Sequence, residues 1–184
     1  MRIDDLTHDD VETYVRVHLV LLEATYAHLA DPAFAVQRWS EQEGRIAETH
    51  ADLDRRDEAL AAGTTPPRRH LVARSDRGTM VGVACTATEI GEWEQPLLGE
   101  AWVAPATTTS LAFLYTAPGT HGTGLGQHLL DAALPDRAPA HLWVMTDNVR
   151  AVAFYRRNGF VPDLGPFNSG ETWGQLPMMR MARG

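Results

Sequence analysis

Lysine is missing altogether: all 16 basic residues of the chain are arginine. A lysine Schiff base and a Walker-type phosphate lysine are therefore excluded. Cysteine occurs once, as Cys85 in the apolar run MVGVACTA. No intramolecular disulfide can form, and a small buried hydrophobe is the expected role for that thiol. Long apolar runs are also lacking, since VHLVLLEA is far short of a membrane span. The opening MRIDDLTHDD carries acids where a signal peptide carries basic and then apolar residues. A cytoplasmic location with no membrane partner is expected. Positive charge is scarce as well, with a formal net charge of −8. Generic attraction to nucleic acid is thereby disfavoured, and no nucleic-acid partner is expected.

What is present suits one globular domain over residues 1–184, with 44% hydrophobic and 22% charged residues. RIDDL reads as a first strand, and Thr7 with Asp10 has the form of a capping box. Val11, Tyr14, Val15, Leu19, Leu22, Tyr26 and Leu29 recur at helical spacing, so a first helix is expected to about Ala30. Asp31-Pro32 starts another helical stretch, reaching Ala62, with Gly44 as its expected break. RHLVARS and TMVGVACTATEI form a predicted hairpin, and Gly91 to Thr109 reads as irregular. Then follow strand SLAFLYTA, helix GLGQHLLDAAL, strand AHLWVMT, helix VRAVAFYRRNGF and a last strand in PMMRMAR. An antiparallel first half and a strand-helix-strand second half predict a mixed α+β sheet. It should be mostly antiparallel, with a parallel central pair and flanking helices.

The segment TAPGTHGTGLGQHLL places Gly119, Gly122, Gly124 and Gly126 directly before a helix. No lysine follows the last glycine, so it is not a Walker loop. Counting G-x-G-x-x-G from Gly122 ends on Gln127, so it is not a dinucleotide fingerprint. Two readings remain: a glycine-rich turn without a ligand, or an anion cradle built from backbone N–H groups at a helix N-terminus.

Further on, LWVMTDNVRAVAFYRRNGF carries Asn148, Ala151, Phe154, Tyr155, Gly159 and Phe160. Together with the glycine segment this resembles the GNAT superfamily of acyl-CoA-dependent N-acyltransferases, with His121, Gly124 and Gly126 in register with the family's loop motif. The clear motifs cover about 50 residues, and the order of elements extends the likeness over most of the chain. The resemblance implies acetyl-CoA as co-substrate, its arm held at the opened central strands by Leu114, Tyr115 and Thr116. It implies a pyrophosphate held by the loop His121, Gly122, Thr123, Gly124, Leu125 and Gly126. A backbone N–H at or beside Leu114 would meet the thioester carbonyl, an interaction that can contribute a few kcal/mol as charge develops. Asn148 would lie near the pantetheine or the departing sulfur. Tyr155 matches the family's general acid toward the thiolate. Full proton transfer from a phenol near ~10 to a thiol near ~8.5 is uphill by roughly 2 kcal/mol, so a strengthening hydrogen bond is enough. His121 departs from the family pattern, which has arginine or glutamine there. A cofactor KM rising with pH through the histidine titration is the expected result.

An attacking amine must lose a proton, yet TTTSLAFLYT contains no carboxylate. Candidate bases are Glu89, Glu92, Glu94, Glu100 and Glu171, with Glu100 preferred because it precedes the central strand. Tyr26, Trp93 and Trp102 are candidates for an acceptor wall. The 8 histidines show no metal spacing, and neither HExxH nor GxSxG occurs, so no metal is expected. The leading expectation is an N-acetyltransferase for the primary amine of a small molecule, acting by direct attack in a ternary complex. A peptide or protein N-terminal acetyltransferase and a non-catalytic CoA-binding module are the alternatives, and a homodimer stays open.

Overall fold

Helix α1 (Val11–Tyr26) buries Val11, Tyr14, Val15, His18, Leu19, Leu22 and Tyr26 along one stripe, as the spacing of its apolar residues dictates. The computed structural model describes residues 1–184. Strand β1 (Arg2–Asp5) precedes α1, with a single 3-10 turn at His8–Asp10 between them. Thr7 does not cap a backbone N–H; its hydroxyl donates to the Asp10 carboxylate instead, at 2.9 Å. Helix α1 ends at Tyr26, short of the expected Ala30.

Asp31 caps α2 (Pro32–Ser40) as read, its Oδ1 accepting from the Ala33 N–H at 2.8 Å. The expected break at Gly44 is not found, because Gly44 lies inside α3 (Gln42–Ala61) with open space where a Cβ would be. The chain breaks at Glu41, whose carboxylate is claimed from both sides, by Arg38 at 2.6 Å and Arg45 at 2.9 Å.

Strands β2 (Arg68–Arg74), β3 (Met80–Ala87), β4 (Ser110–Thr116), β5 (Ala140–Met145), β6 (Val161–Asn168) and β7 (Pro177–Arg183) complete the sheet. Its order is β1-β2-β3-β4-β5-β7-β6, and only β4 and β5 pair in parallel. Strand β6 was not expected from the sequence; it pairs with β7 at the sheet edge, where Pro162 and Pro166 cost no second ladder. Between β3 and β4 lies α4 (Glu94–Leu98) with a further turn at Gly99–Ala101.

Helices α5 (Leu125–Ala133) and α6 (Val149–Arg157) cover one face of the sheet around Leu71, Ala84, Leu129, Leu142 and Phe160. On the other face α1 and α3 pack Leu19 and Leu53 against Val72 and Val83. Cys85 is fully buried, as its apolar setting predicts. No helix is long and apolar enough to cross a membrane.

Candidate active site

The central parallel pair opens almost as soon as it forms. Strands β4 and β5 share the single register pair Ser110↔His141, next to which the His141 N–H donates to the Thr109 carbonyl at 3.0 Å. Against β3, the register jumps from Cys85↔Phe113 to Thr86↔Leu111, leaving Ala112 as an unpaired bulge residue that bends β4. Beyond the bulge, the Ala117 N–H donates to the Val81 carbonyl on β3. Backbone polar groups alternate sides along a strand. Leu114 and Thr116 therefore turn their N–H and C=O groups toward the opened side, while the backbone of Tyr115 faces β3. Such an exposed edge can pair with an extended, amide-bearing ligand as it would with another strand.

Past β4 the chain makes one turn at Pro118–Thr120 and then enters α5 through Gly122 (φ 81°) and Gly124 (φ 86°). Nothing lies within 4 Å of a Cβ built on Gly122, so backbone conformation and not crowding is what requires glycine there. The turn leaves the first amides of α5 without helical partners, aimed where an anion would complement the helix dipole. Opened strands, turn, α5 and α6 together enclose a cleft of about 540 Å³.

Helix α6 is placed by Asn148, whose Oδ1 accepts from the Ala151 N–H at 3.2 Å while the residue lines the cleft. Two turns along, the Tyr155 ring packs between Phe154 and Phe160, at centroid separations of 5.3 and 5.7 Å. Burial raises the pKa of its hydroxyl, and the neighbouring Tyr26 adds to the rise. Tyr155 thus stays a proton donor throughout the physiological range.

Arg150 reaches across the cleft from α6 to hydrogen-bond His121. Its Nη1 can only donate, so His121 accepts through Nδ1 and remains neutral. Burial and the Arg150 charge both lower the His121 pKa below its ordinary value. A fixed positive charge does stand at the cradle, then, but Arg150 supplies it. Arg157 also lines this cleft.

Of the sequence candidates, Leu114, Tyr115, Thr116, His121, Gly122, Gly124, Leu125, Gly126, Asn148, Tyr155 and Tyr26 all line the cleft. Thr123 does not; its hydroxyl is occupied within the turn, donating to the Thr120 carbonyl at 2.7 Å. Glu100 is exposed on the turn after α4 and lies outside the lining, as do Trp93 and Trp102. Trp93 packs edge-on against Trp143, which itself lines the cleft from β5. Glu89, Glu92 and Glu171 are exposed and are not part of the lining.

Glu94 is different, with a carboxylate buried against the sheet 3.5 Å from His141 and 3.9 Å from Arg180. Burial works to raise its pKa, but His141, Trp143 and Arg180 outweigh that and lower it, so it is an ionised partner and a poor base. Among the lining residues that sequence reading missed are the charged or aromatic Arg150, Arg157, Asp147, Trp143 and His28. Arg150 alone carried a visible hint, as the residue inside the Asn148 to Ala151 motif.

The fold agrees with what comparison with known proteins finds. The family model described as the Acetyltransferase (GNAT) family matches residues 28–160. In fold the chain is similar to the PaiA N-acetyltransferase of Thermoplasma acidophilum in complex with coenzyme A, at 19% identity over 98% of each chain and a TM-score of 0.62. It is also similar to a ribosomal-protein-alanine N-acetyltransferase from Brucella melitensis, at 19% identity over 100% of this chain and 99% of that one, TM-score 0.64. A third is a variant of the Vibrio cholerae spermidine N-acetyltransferase SpeG, at 14% identity over 100% and 94% of the two chains, TM-score 0.55. Among curated proteins none matches.

Proposed function

The chain belongs to the GNAT acetyltransferase family and is an acyl-CoA-dependent acetyltransferase; from that premise we propose that it acetylates the primary amine of a small molecule by direct attack in a ternary complex, the whole chain acting as one domain in the cytoplasm. Acetyl-CoA supplies the activated thioester. Leu114 and Thr116 offer backbone pairing to the pantetheine arm, and a backbone N–H beside Leu114 stabilises negative charge on the carbonyl oxygen. The amides at the start of α5, with Arg150 and Arg157, hold the phosphates. Tyr155 donates toward the departing sulfur.

One observation favours a small acceptor over a peptide. Tyr26, which lines the cleft, is backed by Trp173 at 6.3 Å, and Trp173 packs on Phe34 at 5.8 Å, so that the Glu171–Trp173 turn lies against α2 behind this side of the cleft. A thiol-release assay with acetyl-CoA over amino acids, polyamines, aminoglycosides and short peptides tests the reading. Turnover confined to small amines is expected, and turnover confined to peptides overturns it.

The charge at the cradle can be tested separately. Arg150→Ala is expected to raise the KM for acetyl-CoA about ten- to a hundred-fold, the range for a hydrogen bond to a charged group, with little change in kcat. Because His121 is held neutral, the sequence-based expectation of a KM rising with pH changes. Initial-rate measurements should instead show a KM that is nearly flat from pH 6.5 to 8, and His121→Ala should cost far less than Arg150→Ala.

A further inference from the structure

We propose that the amine approaches the thioester from the α1 face of the opened sheet, opposite Tyr155, and that the paired hydroxyls of Tyr26 and Tyr115 hold its nitrogen there by hydrogen bonds. The proposal rests on the transferase reading above and deepens it by naming the acceptor's contact.

The first ground is the way the cleft runs through the sheet. On one face, Tyr155 belongs to the apolar cluster that α5 and α6 form with Leu125, Leu129 and Phe160. On the other, Tyr26 from α1 is buried with Leu22, Phe34 and Met145, and Tyr115 from β4 and Trp143 from β5 pack against that second cluster. Tyr155, Tyr26, Tyr115 and Trp143 nevertheless line one cleft. With the phosphates at α5, Arg150 and Arg157, and the pantetheine arm along β4, the lining left for an acceptor is the last turn of α1 with Tyr115 and Trp143. Nitrogen then bonds to the acetyl carbon from one face while sulfur leaves toward Tyr155 on the other.

The second ground is how the two hydroxyls are presented. Tyr26 is 7% exposed, and its ring is fixed by Phe34 at 5.7 Å and Trp173 at 6.3 Å. Tyr115 is held by His18 at 5.3 Å and Phe113 at 6.2 Å. Each hydroxyl has the other as a neighbour. Neither phenol oxygen is among the sealed polar atoms that lack a partner, so both open to the cleft. Burial raises the pKa of all three tyrosines, and Tyr26 adds to the rise at Tyr115 and at Tyr155. All three therefore keep their protons at neutral pH.

A phenol that keeps its proton still accepts through its oxygen, and when one of a pair donates to the other, the outer lone pairs stay free. An amine N–H can donate to them while the nitrogen lone pair stays turned to the acetyl carbon. The contact transfers no proton. It suits an ammonium on arrival and the neutral amine at attack, so it is independent of which group serves as base. Its effect is orientation, because rings already locked by packing hold the nitrogen in an attacking position.

Tyr26→Phe keeps the ring and its packing and removes only the hydroxyl. Thiol release is measured with whichever small amine of the panel above reacts fastest. The variant should lower kcat/KM for that amine about ten- to a hundred-fold, the range for a hydrogen bond to a charged group. The KM for acetyl-CoA should stay within about twofold and the melting temperature should not change. Tyr115→Phe should act in the same direction, and the double variant should lose less than the product of the two, since the pair acts on one nitrogen. Unchanged amine kinetics in Tyr26→Phe, single losses that multiply, or a loss confined to the acetyl-CoA KM overturns the proposal and leaves the transferase reading intact. So does a loss accompanied by a lowered melting temperature, which marks a structural tyrosine. Thiol release with no amine of the panel, while acetyl-CoA binding persists in calorimetry, overturns both.

Discussion

Tyr155→Phe should lower kcat by about two to four orders of magnitude, the usual contribution of a positioned acid, while the KM for acetyl-CoA stays within about twofold. The substitution is clean because the hydroxyl makes no hydrogen bond inside the protein. Its loss leaves the ring packed between Phe154 and Phe160. A purely structural tyrosine gives the opposite pattern, with kcat retained and thermal stability lowered. The raised pKa adds a second signature. The acid must be protonated to act, and burial moves its titration upward from 10, so wild-type kcat should show no fall on the alkaline side before that value. Initial rates with saturating acceptor, paired with melting curves of both proteins, separate the two readings.

Much of this site could be read from sequence because its chemistry is largely backbone chemistry. Glycines ahead of a helix, a compact apolar strand before them and an asparagine-capped helix after the next strand are all local patterns. Each reports a conformation that the chain adopts within a few residues. The pieces that sequence reading missed depend on partners far along the chain. Arg150 meets His121 across 29 residues, and no periodicity reports such a meeting.

Glu94 was one acid among several in an irregular stretch, and its burial is decided by His141 on β5 and Arg180 on β7. A histidine and an arginine set into the apolar runs AHLWVMT and PMMRMAR were the available sign that some acid must cover them. Strand β6 escaped for a different reason, since Pro162, Gly165 and Pro166 all argue against a strand. An edge strand with one partner tolerates them, and only the sheet order shows that β6 is an edge. The preference for Glu100 rested on its place in the chain, and the turn after α4 directs it to solvent.

Asp52→Asn should destabilise the fold by about 3 to 5 kcal/mol at pH 6.5, the cost of removing one partner from a buried ion pair. Asp52 on α3 and His70 on β2 are 2% and 4% exposed, and Asp52 Oδ2 lies 2.9 Å from His70 Nε2. The hydrogen-bond partners favour a charged imidazole. The Tyr14 hydroxyl donates its one proton to the Ala84 carbonyl at 3.2 Å, so at 3.0 Å from His70 Nδ1 it can only accept. The Asp52 carboxylate also only accepts, so both ring nitrogens carry protons and His70 is an imidazolium.

Burial opposes that charge, but the Cys85 sulfur and the Asp52 carboxylate outweigh it and lift the His70 pKa to about 9. For a group whose folded pKa is raised, the stabilisation is fully present below the ordinary value of 6.5 and is lost as pH climbs through 9. The span corresponds to about 3 kcal/mol. Asp52, whose pKa is lowered against its own burial by His70 and Arg55, loses its share only under acid. Wild-type stability should therefore decline between pH 6.5 and 9, measured by urea unfolding, and the melting temperature should fall with it. In Asp52→Asn the imidazolium loses the carboxylate that holds it, so the decline becomes shallower and the two proteins draw together toward pH 9.5. A loss of equal size at pH 6.5 and 9.5 would mean instead that the pair is held by a neutral hydrogen bond.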